Sequence, residues 1–196
     1  MIIIGHRGAK GLATENTQAS IKKALEVGVD MIEIDLRLHE NEVVLSHDHT
    51  IQTKRYCKLE KALSIVAGSV PLILEIKEFQ VVNKLPALLQ NYKGDILISS
   101  KKFDVLKEIR HILPDTNIAI IEKWSGIRAV AQASLLETQN VHINHHWLWS
   151  SFVRSMKHRG YNLFAYTVND VERARELAEW GVDGIFTDYP DRMVNL

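Results

Sequence analysis

The sequence predicts an α/β protein folded as a (β/α)8 TIM barrel. Short apolar strands alternate with amphipathic helices through all 196 residues, in eight units of about 24 residues. Alternation of that kind implies a parallel sheet. Eight units suit closure into a barrel, here a compact one. The same Gly-Val-Asp punctuation ends a helix and opens a strand twice, at Gly28-Val29-Asp30 and at Gly181-Val182-Asp183. The runner-up is an open doubly wound sheet. Against it, no GxGxxG motif or P-loop follows the first strand.

The elements follow in order. The first strand is 2–4, and the first helix spans 15–27, with Ala19, Ile21, Ala24, Leu25 and Val27 roughly at helical spacing. Gly28 ends that helix, since glycine suits the left-handed position just past a helix. The second strand is 30–38, which 43–46 extends or follows. A short helix at 59–66 precedes the third strand at 70–77. The third long helix is expected at 80–92, stopping at Gly94, and a strand follows at 96–99. Helix 103–113 stops at Pro114, and strand 117–121 leads to helix 127–136. Strand 141–143 leads to helix 149–159, which stops at Gly160. Strand 163–168, helix 171–180 and strand 184–187 complete the pattern. No low-complexity stretch or linker interrupts it, so one domain over 1–196 is expected.

Composition narrows the function. The 24 basic and 24 acidic residues cancel, so no basic field favours nucleic acid. The one cysteine, Cys57, excludes an internal disulfide and a CxxC zinc site. Beside Arg55, Tyr56 and Lys58 it reads as a reactive thiol or as an incidental residue. The segment MIIIGHRG leaves no room for a signal peptide before its first charge, and no apolar run nears the roughly 18 residues of a membrane span. A cytoplasmic protein without stable membrane insertion is the expectation.

Candidate chemistry gathers where a barrel keeps it, at the C-terminal ends of the strands. Glu33 and Asp35 stand at i and i+2 in the apolar stretch DMIEIDLRL, so both carboxylates leave one face of the strand. Either that face is turned to water, or a hard cation such as Mg²⁺ or Ca²⁺ lies between the two acids. Glu75 and Lys77 repeat the spacing on the neighbouring strand. Glu75 would complete a three-carboxylate cage for one divalent ion. Lys77 would hold a phosphate oxygen, pair with a strand-two carboxylate, or both. His6 and His47 lie just past strand ends beside Arg7 and Asp48, and imidazole titrates near neutrality, which suits proton transfer. Arg7 has the planar fork that clamps phosphate, and Gly8 would let a substrate approach the backbone. Other strand ends carry Ser99-Ser100, Asn144-His145-His146, Thr167-Val168-Asn169 and Thr187-Asp188. A metal, two histidines, an arginine and a lysine are equipment for breaking a phosphodiester.

These residues fall in a familiar order. His6-Arg7-Gly8, Glu15-Asn16-Thr17, Glu33-x-Asp35, His47-Asp48, Glu75-Ile76-Lys77 and the run from Gly181 to Pro190 together resemble the glycerophosphodiester phosphodiesterase family from the first strand to the last. The resemblance implies a barrel of the phospholipase C-like phosphodiesterase type and metal-dependent hydrolysis of a small glycerophosphodiester to glycerol 3-phosphate and an alcohol. It implies His6 and His47 as the acid–base pair, Glu33, Asp35 and Glu75 as metal ligands, and Arg7 and Lys77 as phosphate-binding groups. Glu15 and Asn16 match a supporting motif: Glu15 reaches the metal or ties His6 and Arg7, or else Asn16 or Thr17 simply caps the first helix.

The chain departs from the family pattern in places. Only 22 residues separate Asp48 from Pro71, so the usual covering insertion is missing or vestigial. His39-Glu40-Asn41 replaces a Thr-x-Asp, and Tyr166 replaces a tryptophan before Thr-Val-Asn. Trp147 and Trp149 read as a compensating aromatic wall or as packing of the helix that follows. Sphingomyelinase-type phospholipase D-like toxins share the histidine and acid pattern, which makes a lipid-headgroup phosphodiesterase one alternative. A phosphate-binding barrel without turnover and a Schiff-base enzyme using Lys77 are the others.

Overall fold

The computed structural model describes residues 1–194. Nine strands form one sheet: β1 (Ile2–Gly5), β2 (Met31–His39), β3 (Glu42–Leu45), β4 (Leu72–Ile76), β5 (Ile96–Ser100), β6 (Asn117–Glu122), β7 (Asn140–Asn144), β8 (Asn162–Tyr166) and β9 (Gly184–Thr187). The helices are α1 (Gln18–Val27), α2 (Leu59–Val66), α3 (Leu85–Leu89), α4 (Phe103–Ile112), α5 (Gly126–Leu135), α6 (Ser150–His158) and α7 (Val171–Trp180). All strands except β3 pair in parallel, in the order β1-β9-β8-β7-β6-β5-β4-β2, and β1 pairs again with β2. The parallel sheet is therefore a closed barrel. β3 is an added hairpin strand, antiparallel to β2.

Burial follows the two-residue period. On β2, Ile32, Ile34 and Leu36 are fully buried in the large apolar cluster under the helices, and Glu33 and Asp35 occupy the alternate face inside the barrel. A separate interior cluster of Ile4, Ile73, Leu97, Ala119, Phe164 and Phe186 plugs the barrel. Polar side chains at the C-terminal strand ends stand above that plug.

Two elements differ from the sequence expectation, and each has a local cause. α1 starts at Gln18, three residues later than expected. Thr17 is its N-cap and accepts a hydrogen bond from Ser20 N while the Ser20 hydroxyl accepts from Thr17 N, a capping box. Glu15 and Asn16 are thereby freed from the helix. The single helix expected at 80–92 is a 3₁₀ turn, Phe79–Lys84, followed by the short α3. Pro86 lies in the first turn of α3. Its ring and missing N–H oppose an α-helix running through it from the N-terminal side, whereas a helix start tolerates it.

The 22 residues after Asp48 hold a loop and α2. Cys57 in this loop is half-buried, and burial pushes its thiol above the usual value despite nearby Lys61. That disfavours the reactive reading. No described helix is long and apolar enough to cross a membrane.

Candidate active site

The site begins with a tight turn after β1. Arg7 and Gly8 both have positive φ, 55° and 83°, which reverses the chain directly above β2. His6 N then donates to Thr187 O at 3.0 Å and Gly8 N to Glu33 O at 3.0 Å. A Cβ at Gly8 would fall 2.6 Å from the Ser20 carbonyl carbon. Gly8 therefore serves the packing of this turn on α1, which corrects the expectation of a substrate approach there.

The three acids converge. Asp35 and Glu75 are directly opposite in the β2–β4 register, and one ligand atom from each of Glu33, Asp35 and Glu75 lies within 4.8 Å of the others. Glu33 and Asp35 are buried, and the Glu75 side chain is 13 % exposed. Their surroundings separate them electrically. Burial drives Glu33 well above the ordinary carboxyl range, and Asp35 and Glu75 add to it, against Lys77 and the Arg7 N–H. Burial alone would raise Asp35 too, but Lys77, Arg7 and an Asn16 hydrogen bond outweigh it and hold Asp35 below its usual value. Glu33 Oε2 accepts from Arg7 N at 2.8 Å, whereas Glu33 Oε1 is buried without a partner among the described residues. An orphaned carboxylate oxygen among three clustered carboxylates fits an oxygen-loving divalent cation. The half-exposed-face reading of β2 is set aside by this burial.

Two cations border the cluster. Lys77 Nζ is 2.8 Å from Asp35 Oδ1 and also bonds Glu75 Oε1. Burial would lower its ammonium, but Glu75 and Asp35 keep it raised. A protonated lysine is not a Schiff-base nucleophile, so the geometry disfavours that alternative. The Arg7 guanidinium donates through one nitrogen to both Glu15 oxygens, at 2.9 and 3.0 Å, and its Nε lies 3.3 Å from Asp35 Oδ2. Glu15 thus ties Arg7. It is absent from the three-acid cluster.

Asn16, buried and at φ 55°, grips Asp35 twice. Its Nδ2 donates to Asp35 Oδ2 at 2.8 Å, and its Oδ1 accepts from Asp35 N at 3.0 Å. Thr17, not Asn16, is the helix cap. Asn16→Ala is expected to destabilise the protein by about 2 kcal/mol, because a buried N–H and a buried carboxylate oxygen both lose their partners. A urea midpoint measures this, and an unchanged midpoint would show that Asn16 does not hold Asp35.

The histidines are held differently. His6 Nδ1 is 2.6 Å from Asp188 Oδ1. Asn169 Nδ2 donates to Asp188 Oδ2 at 2.8 Å, and Asp188 N donates to Asn169 Oδ1 at 2.9 Å. Burial would raise the Asp188 carboxyl, but the His6 and Asn169 hydrogen bonds hold it below its usual value. An ionised Asp188 fixes a proton on Nδ1 of His6 and leaves Nε2 for chemistry. His47 sits on the loop after β3, with Nδ1 2.8 Å from the exposed Asp48 carboxylate. Arg37 Nε donates to His47 O at 3.0 Å, and Arg37 also pairs with Glu78. This fastens the loop to β2.

His6, Arg7, Glu33, His47, Glu75 and Lys77 line one cavity of about 340 Å³ at the C-terminal mouth of the barrel. The predicted site residues thus come together, with Asp35, Glu15 and Asn16 immediately behind. Sequence reasoning gave no role to Asp188 or Asn169. Barrel closure was the available signal: Gly5 pairs with Thr187, so the next residues, His6 and Asp188, are neighbours. Trp147 and Trp149 do not line the cavity; Trp149 packs on Phe152 of α6, as the helix-packing alternative has it. Trp147 is 44 % exposed against Trp124, and Trp149 is 56 % exposed against Phe152.

Comparison with known proteins bears on the family and the fold. Residues 6–61 and 69–192 match the model of the glycerophosphoryl diester phosphodiesterase family. The chain is 26 % identical over 235 residues to a glycerophosphodiester phosphodiesterase of Caldanaerobacter subterraneus, covering 100 % of this chain and 97 % of that one. It is 24 % identical over 247 residues to a Bacillus subtilis glycerophosphodiester phosphodiesterase, covering 97 % and 84 %. Its fold superposes on an Oleispira antarctica phosphodiesterase, solved with the product sn-glycerol-3-phosphate, with a TM-score of 0.93 at 22 % identity, covering 100 % and 96 %. A Thermotoga maritima glycerophosphodiester phosphodiesterase gives a TM-score of 0.86 at 22 % identity, covering 100 % and 97 %.

Proposed function

The chain belongs to the glycerophosphoryl diester phosphodiesterase family, and from that premise we propose that its site hydrolyses a small glycerophosphodiester to glycerol 3-phosphate and an alcohol. The observation that carries the proposal is the single cavity shared by two histidines, clustered acids, an arginine and a lysine. Glu33, Asp35 and Glu75 would hold one divalent cation, Mg²⁺ or Ca²⁺. Bound there, it supplies positive charge against the phosphate and the charge that grows in the transition state.

The chain's own residues supply the rest. Of His6 and His47, one takes the proton from the attacking oxygen and the other gives a proton to the leaving alkoxide. Asp188 orients His6, with Asn169 behind it. Lys77 and Arg7 each carry charge into the cavity while leaning on Asp35. Both are placed to turn donors toward a phosphate, Lys77 through its remaining protons and Arg7 through its remaining guanidinium N–H groups. The proposal includes one catalytic domain acting on a small molecule in the cytoplasm; the balanced charge speaks against a nucleic-acid partner, and no described helix is long and apolar enough to cross a membrane.

The test is hydrolysis of glycerophosphocholine with and without EDTA, with Mg²⁺ or Ca²⁺ restored. Metal-dependent release of glycerol 3-phosphate and choline is the expected result. Release of glycerol and phosphocholine, or equal rates in EDTA, would refute the reading. Binding of phosphate without turnover of any diester would leave the non-catalytic barrel instead.

A further inference from the structure

Among the polar side chains of the cavity with no part in the chemistry above, two stand out on the barrel strands β5 and β7. Ser99 on β5 is 0 % exposed, and its Oγ has no hydrogen-bond partner among the described residues. His142 on β7 is 1 % exposed, and its Nε2 has no partner either. Both line the cavity that holds His6, Glu33 and Lys77. Buried polar atoms without partners are rare in folded proteins, and each calls for an explanation. His145 Nδ1, just past β7 in the same cavity, is also without a partner among the described residues, but Ser99 and His142 are the two that lie on the strands of the barrel wall and mark a place there for a ligand's polar group.

The chemistry of the pair narrows that group. The His142 ring packs edge-on against Phe164 and Phe186, with centroids 5.5 and 4.8 Å away. Burial pushes its imidazole down to about 3, so near neutral pH it is uncharged, with one nitrogen a donor and the other an acceptor. The Ser99 hydroxyl also both donates and accepts. Neither residue offers charge. The complementary ligand group is one that donates and accepts at once, a hydroxyl.

The register says where the hydroxyl sits. Ser99 is directly opposite Glu75 on β4 and opposite Ala119 on β6. His142 is opposite Ile121 on that same strand β6. Ala119 is the smallest member of the interior cluster, so β6 adds little side-chain bulk beside Ser99. A phosphate held beside Glu75 and Lys77 would extend its esterified alcohol across β5 toward β7.

We infer that Ser99 and His142 form a hydroxyl-binding subsite that takes the polyol arm, glycerol or a similar polyhydroxyl group, of the phosphodiester. This rests on the phosphodiesterase reading for the position of the phosphate. The recognition itself is read by binding and does not require turnover.

The test is calorimetric. sn-Glycerol 3-phosphate and methyl phosphate are phosphate monoesters of like charge, and only the first carries hydroxyls. Each is titrated into divalent-loaded wild type, Ser99→Ala and His142→Phe, with thermal melts to confirm folding. His142→Phe keeps an aromatic ring against Phe164 and Phe186, and Ser99→Ala removes one atom. Wild type is expected to bind glycerol 3-phosphate about tenfold tighter than methyl phosphate, and each variant to narrow that gap several-fold, as loss of one ligand hydrogen bond in a buried site dictates. Equal affinity for the two ligands in wild type, or a gap untouched in both variants, would overturn the inference. Turnover then separates the two sources of a hydroxyl. A loss of kcat/KM on glycerophosphocholine as well as on glycerophosphoglycerol places the invariant glycerol in the subsite, and a loss confined to the second places the leaving alcohol there. Should no diester be hydrolysed at all, the phosphodiesterase reading fails, and the binding comparison still decides on the subsite.

Discussion

His6→Ala lowers kcat on glycerophosphocholine by about 10³-fold, and His47→Ala does so to a similar degree, because each removes one end of the proton transfer. Divalent-ion affinity stays unchanged in both, since neither imidazole belongs to the carboxylate cluster. The double variant loses little more than the worse single one, as groups acting on one transition state are not additive. Steady-state kinetics with a calorimetric metal titration measures all three. Full activity in either single variant would remove that histidine from the acid–base pair. Asp188→Asn provides a graded companion: its amide cannot hold His6 by charge, so activity falls by less than in His6→Ala while His6 itself is retained.

Glu33→Gln abolishes metal binding and lowers activity by about 10³-fold, the scale of losing a principal electrostatic stabiliser, yet it raises the melting temperature of the metal-free protein. Both effects come from one fact. Without a cation, Glu33 is buried beside Asp35 and Glu75, and its carboxyl titrates well above the ordinary range. The folded chain therefore retains a proton that the unfolded chain has already lost. Stability contributed by this group is full below the unfolded value, near 4.5, and is lost as pH rises toward the folded value. Metal-free wild type should lose stability relative to Glu33→Gln as pH rises through that window, and a divalent cation should restore it. Melting curves of both proteins across pH, with and without EDTA, check this. A variant less stable than metal-free wild type at neutral pH would show that Glu33 is satisfied without a cation.

Much of this site is legible in the chain because a strand's two-residue period is local. Glu33 and Asp35 announce a shared face among Ile32, Ile34 and Leu36, and Glu75 and Lys77 repeat it one strand away. The helix-ending glycines and the repeated Gly-Val-Asp likewise mark the units without tertiary information. What was hidden depends on closure and on turns. The His6–Asp188 contact joins residues 182 positions apart and exists only once β1 meets β9. The left-handed pair Arg7-Gly8 turns the chain back so that Glu15 reaches Arg7 rather than a metal, and Asn16 reaches Asp35 rather than a helix end. Gly8 looked like room for a substrate because its neighbour Ser20 is distant in sequence. His142 carried no signal, since a histidine in the middle of an apolar strand reads as core until the cavity beside it is seen. The helix expected at 80–92 failed for a local reason, the proline within it.

A metal titration decides whether the three carboxylates hold the working ion. Mn²⁺ is added to EDTA-stripped, dialysed protein, with bound ion followed by electron paramagnetic resonance and glycerophosphocholine turnover assayed at each step. One ion is expected to bind per chain, with turnover rising in proportion to occupancy, and with neither binding nor turnover in Glu33→Gln. Full turnover before any ion binds, or equal binding in Glu33→Gln, would contradict that role for the three carboxylates.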